Sequence, residues 1–163
     1  MAAGATYTPI QTITSSGASI SFTSIPSTYT DLIIVVNGKS SGAGQMALRF
    51  NSATTNYSST SLNGNGTTAY SQRTTTSSNS FMQLGYYDYY DSNQGTGIVN
   101  VMNYANTTTY KTVLARNNNA STGVGTSVGL WQSTSTINAI EVFPIGCTWI
   151  TGTTLTLYGI ASA

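Results

Sequence analysis

The 163-residue chain contains no histidine, one cysteine (Cys147) and four acids: Asp31, Asp88, Asp91 and Glu141. Proton transfer near neutral pH is ordinarily the work of imidazole, or of a carboxylate whose pKa a neighbour has shifted. A hydrolytic triad needs a base beside its nucleophile, and a glycosidase needs two carboxylates at a set separation. Only Asp88 and Asp91 are close in sequence, on a tyrosine-rich turn with no third acid nearby. The chain therefore reads as a non-enzyme, with no catalytic residue and no cofactor. Zinc needs several Cys or His ligands, so it is not expected. Calcium could draw on Asp88, Asp91 and Asn93, but their spacing fits no calcium loop, and they read as solvated loop acids; no metal residue is assigned. The glycines of Ser41-Gly42-Ala43-Gly44 and Gly123-Val124-Gly125 precede no Lys-Ser/Thr pair opening a helix, so they read as turns.

What remains is chemistry of contact. Tyr86-Tyr87-Asp88-Tyr89-Tyr90-Asp91 places four phenols in five residues. Tyrosine offers large contact area at low entropic cost and has a polar tip. The segment suits a subunit interface or a saccharide platform, with cross-strand packing at a sheet end as the plainer reading. Trp131 joins the candidates for interface or ligand contact. Core or rim packing is the favoured reading for both it and Trp149.

These residues must be held by strands. Thr (29), Ser (22), Asn (14) and Gly (16) dominate the composition, and they are weak helix formers. Period-two alternation recurs along the chain. A strand over 7–14 puts Ile10 and Ile13 on opposite faces; Ser15-Ser16-Gly17 then turns the chain into a strand over 18–23, with Ile20 and Phe22 on one side. A short helical turn is expected at Thr28 to Asp31. Residues 31–37 (Leu32-Ile33-Ile34-Val35-Val36 within) are apolar on both faces, which predicts a central strand covered on both sides. Residues 45–51 alternate with Met46, Leu48 and Phe50 inward and Arg49 outward. Residues 52–66 read as a polar loop, and 67–79 as an edge strand or long loop. Further strands are expected over 80–87, 97–104, 110–116, 124–132 (Val128 and Leu130 inward), 137–143 and 153–160 (Leu155 and Leu157 on one face). About ten strands with no dividing linker predict one all-β domain over 1–163. It should be an antiparallel β-sandwich, jelly-roll-like, with residues 1–7 as an N-terminal arm.

The charge balance bounds the partners. Net charge is +1, and the five cations Lys39, Arg49, Arg73, Lys111 and Arg116 are scattered. Nucleic-acid binding needs clustered Lys and Arg, so none is expected. The longest apolar run is far too short to insert in a membrane. Low charge leaves little repulsion between copies and favours a homo-oligomer, with a trimer as the guess. Cys147 reads as a small buried hydrophobe.

Two segments resemble small virion structural proteins of tailed bacteriophages. One is Leu48-Arg49-Phe50-Asn51 followed by Asn56-Tyr57-Ser58. The other is the closing Gly152-Thr153-Thr154-Leu155-Thr156-Leu157-Tyr158-Gly159-Ile160, and the strand rhythm from Ile10 to Val36 matches as well. The resemblance implies a β-sandwich subunit of a phage particle and brings no catalytic residues. A capsid decoration (cement) protein binding the major capsid protein and its own copies is the first expectation. A receptor- or carbohydrate-binding tail-fibre head, touching a host surface glycan, is the alternative. The expected location is the virion, after synthesis in the host cytoplasm; the opening Met1-Ala2-Ala3-Gly4-Ala5-Thr6 shows neither the basic nor the apolar region of a signal peptide.

Overall fold

The computed structural model describes residues 6–75, 79–85 and 90–161. Those residues form twelve strands and no helix: β1 (Tyr7–Gly17), β2 (Ile20–Phe22), β3 (Asp31–Gly38), β4 (Gln45–Phe50), β5 (Tyr57–Gly64), β6 (Ala69–Thr75), β7 (Met82–Gln83), β8 (Gly95–Met102), β9 (Lys111–Asn119), β10 (Gly123–Trp131), β11 (Ile140–Ile145) and β12 (Trp149–Ile160). All pairings are antiparallel. The large sheet runs β1-β12-β3-β8-β9-β10-β5-β6 and the small one β2-β11-β4-β7. The chain passes repeatedly from one sheet to the other, as the expected all-β sandwich requires.

The core lies between the sheets. Leu32, Ile34 and Val36 of β3, with Val99, Val101, Leu155 and Leu157 of its neighbours, pack with Met46, Leu48, Phe50, Ile140 and Val142 of the small sheet. The alternation in β4 and β12 holds: Met46, Leu48, Phe50, Leu155 and Leu157 are all fully buried. Toward β5 the inner face turns polar, with Ser59, Ser61, Asn63 and Ser127 buried.

Several expectations change. Ile10 and Ile13 both pack against the core. A register shift between Pro9 and Gln11, opposite β12, inserts one residue and brings positions three apart to the same face. Thr28 to Asp31 form no helical turn: Tyr29 and Thr30 are bends and Asp31 opens β3. Residues 57–64 are strand rather than loop; the ladders from β10 and β6 satisfy their backbone, and hydrophobicity plays little part. Residues 69–75 form the sheet's edge strand. Of the strand expected over 80–87, Met82–Gln83 pairs with β4, and residues 86 and 87 lie outside the described residues. β3 is central, but only one of its faces is sealed: Val35 and Asn37 on the other are half-exposed. Cys147 is half-buried.

β10 is turned over relative to expectation. Val128 is 53% exposed, and Ser127, Gly129 and Trp131 face inward instead. Two contacts fix this. Trp131 stacks on Tyr57 (6.1 Å between ring centroids, 16° between planes) and lies against Phe50. Met82 of the opposite sheet fills the space over Gly129, where an added Cβ would meet its Cγ at 2.8 Å. An inward Val128 would expose the indole and collide with that thioether chain.

Pro144 sits inside β11, opposite Met46. β2 pairs only with Ile140–Val142, so the missing N–H of Pro144 faces no strand on that side.

Candidate functional site

Of the sequence-predicted contact residues the structure describes Tyr90, Asp91 and Trp131, and two of these three are in the core. Tyr86, Tyr87, Asp88 and Tyr89 lie outside the described residues. Tyr90 is fully buried, edge-on to Trp149 at 5.1 Å, and its hydroxyl donates to Asn117 Oδ1 at 3.2 Å. Burial pushes its pKa far up. Tyr90 is a core residue, not an interface residue, because the cleft over Gly38 and Gly97 has room for its ring and for no further side chain. Trp131 is also core, at 4% exposure. Asp91 is not simply solvated: its Oδ1 accepts from the Asn93 N–H at 2.7 Å and from Asn119 Nδ2 at 3.2 Å, pinning the loop before β8. Asp31 Oδ1 accepts from the Asn103 N–H at 2.7 Å. Among the described residues no three of the groups that bind metals cluster.

Other polar groups are structural. Lys111 is fully buried, and its ammonium donates to the carbonyls of Asn106, Thr109 and Thr134, tying the β8–β9 loop to the segment after β10. Desolvation lowers its pKa. Asn51 adopts φ 51°, tolerable for asparagine. Its Oδ1 accepts from the N–H groups of Asn138 and Ala139, and its Nδ2 donates to Thr136 O. It thus latches the approach to β11. Arg49 pairs with Glu141 at 2.9 Å, donates to Ser80 O and lies over Phe143, so the cation on the small sheet's outer face is internally satisfied.

The large sheet's outer face differs. Its exposed apolar side chains are Tyr7 (57% exposed), Leu62 (61%), Val124 (60%), Val128, Leu114 and Met102; among the described residues the one large exposed hydrophobic outside its strands is Tyr110, just before β9. The registers explain the grouping. Val128 pairs with Leu114 and Thr60, and Leu62 with Thr126 and Ser71, so side chains of one parity in β9, β10 and β5 share one surface. On the other half, Tyr158 pairs with Ile33, Ile33 with Asn100, Val35 with Ile98, and Ile98 with Arg116. Tyr7, Tyr158, Asn100 and Arg116 surround an open depression of about 310 Å³ floored by Ile33, Val35 and Ile98. Arg116 is exposed, and its guanidinium forms no hydrogen bond or ion pair among the described residues. Sequence reasoning missed this surface. The available signal was β10, where Val124, Val128 and Leu130 share one parity and Trp131 has the other.

Compared with protein-family models and with curated proteins, the chain matches none. The fold defines its class, an antiparallel all-β sandwich of a large and a small sheet.

Proposed function

We propose that the protein is a non-enzymatic structural component of a bacteriophage particle, a capsid decoration protein that docks on the shell and on neighbouring copies. The observation that supports it best is the gathering of exposed aliphatic side chains onto one sheet face. Monomeric soluble proteins rarely leave such a patch unpartnered. The outer faces of β9, β10 and β5 present Leu114, Val124, Val128 and Leu62 on neighbouring rows, with Thr60, Thr126 and Arg116 among them. Roughly 800 Å² per partner suffices for stable attachment. The resemblance to phage virion proteins adds the particle as context, and its two motifs have structural work in this chain: Asn51 latches the segment before β11, and Gly159 lies under the ring of Tyr29.

The test is location. Antibody labelling of particles of the phage that encodes the protein should decorate the shell at regular positions. Shells stripped of it should rebind it and regain heat resistance. Absence from purified particles would overturn the reading. A fibre head that binds host glycan is the second reading, favoured by the depression between Tyr7 and Tyr158.

A further inference from the structure

We propose that the depression between Tyr7 and Tyr158 binds a carboxylated saccharide of the uronic- or sialic-acid type, with Arg116 holding the carboxylate. The proposal is independent of where the protein sits on a particle, since a decoration subunit and a fibre head could equally carry such a site.

The geometry is that of a ring-binding trough. Tyr158, Ile33 and Asn100 form one cross-strand row, and Val35, Ile98 and Arg116 form the next. Tyr7, paired with Ile160 on the edge strand, closes one end. The trough crosses the five strands from β1 to β9, roughly 20 Å, which spans several pyranose rings. An apolar floor with phenol walls receives the C–H faces of sugar rings. The Asn100 amide can donate to and accept from ring hydroxyls.

The charge selects the ligand. Arg49 is neutralised by Glu141 and Lys111 is buried on three carbonyls, whereas the Arg116 guanidinium is exposed and unpartnered among the described residues. The two rows that line the trough hold no acid. Asp31 lies on the end row opposite Ile160 and is already engaged by the Asn103 N–H. Arg73, also without an ion-pair partner among the described residues, lies on the same face, on β6. A second copy presenting this face would bring like charges together, and a purely aliphatic partner would bury Arg116 without a counter-charge. A carboxylate avoids both costs and matches the planar guanidinium fork.

The experiment is titration calorimetry of the full chain with oligogalacturonate, its fully methyl-esterified counterpart and oligosialic acid. At least one acidic oligosaccharide should bind, and the ester, with the same rings and no charge, should bind about 10-fold more weakly or not at all. Arg116→Gln should lose about 10-fold or more, and Tyr7→Ala, at the first residue of an edge strand, should lose several-fold. Arg73→Gln should bind as the parent does. Equal loss in Arg73→Gln and Arg116→Gln would reduce the effect to diffuse charge attraction and overturn the proposal. So would equal binding of the ester, or no binding of either acid. If Arg116→Gln abolishes particle attachment while the parent binds no saccharide, Arg116 is a protein contact and the proposal fails. Loss of saccharide binding with attachment intact supports it.

Discussion

Replacing Gly159 by alanine tests the packing at the chain's closing motif. Gly159 faces inward on β12, between Leu32 of β3 and Thr8 of β1. A Cβ there would lie no more than 2.5 Å from Cγ, Cδ1 and Cδ2 of Tyr29, against roughly 3.5–4.0 Å for carbons in contact. All three atoms belong to a rigid ring, and the Tyr29 N–H is held by the Tyr104 hydroxyl at 3.3 Å, so the ring has little freedom to retreat. Overpacking of this kind costs about 1–3 kcal/mol. At about 2 kcal/mol, the melting temperature of a chain this size should fall by roughly 4–8 °C. The sign should change once the ring is removed. In a Tyr29→Ala background the same substitution meets open space, and reduced unfolded-state entropy should make it neutral or stabilising by about 0.5 kcal/mol. The assay is a double-mutant cycle by chemical and thermal unfolding. Equal costs in both backgrounds would refute the steric argument and point to a backbone requirement at position 159.

Three further outcomes follow from buried groups. Burial raises the pKa of Tyr57 from 10.0 to about 12 and also raises those of Tyr90 and Tyr104. A phenol whose folded pKa exceeds its unfolded value contributes stability that is complete below pH 10 and lost as pH climbs toward 12. Alkaline unfolding should therefore begin above about pH 10, coincide with late tyrosinate absorbance, and steepen with each buried phenol. Lys111→Met should cost about 3 kcal/mol in urea unfolding, since it strands carbonyls that a charged donor now satisfies. Trp131 and Trp149, both buried, should emit at short wavelength and resist quenching by acrylamide until unfolding; a quenchable indole in the native state would contradict the core assignment of Trp131.

The sequence was most legible where hydrophobicity and period agreed. Leu32–Val36 announced a central strand, and Met46, Leu48 and Phe50 declared their face. It was least legible where pairing overrode composition. Tyr57–Gly64, all Ser, Thr and Asn but for Tyr57, Leu62 and Gly64, is a strand because β10 and β6 flank it. The orientation of β10 depends on Met82 lying over Gly129, a contact between positions 47 residues apart that no local pattern encodes. The bulge in β1 defeated an alternation argument by one residue. The contact surface was hidden for the same reason: Leu62, Leu114 and Val128 become neighbours only through register. Residue type alone drew attention to Tyr90 and Trp131, which are the kind of large aromatic that a core uses as readily as an interface does.

The claim that the outer face of the large sheet is the working surface is most directly tested with Leu62→Ser, Val124→Ser and Val128→Ser combined. All three side chains are more than half exposed, so the fold should keep its melting temperature within a few degrees. If those side chains seat against the shell at about 1 kcal/mol each, affinity for stripped particles should fall roughly 100-fold. Undiminished attachment by a well-folded triple variant would contradict the account.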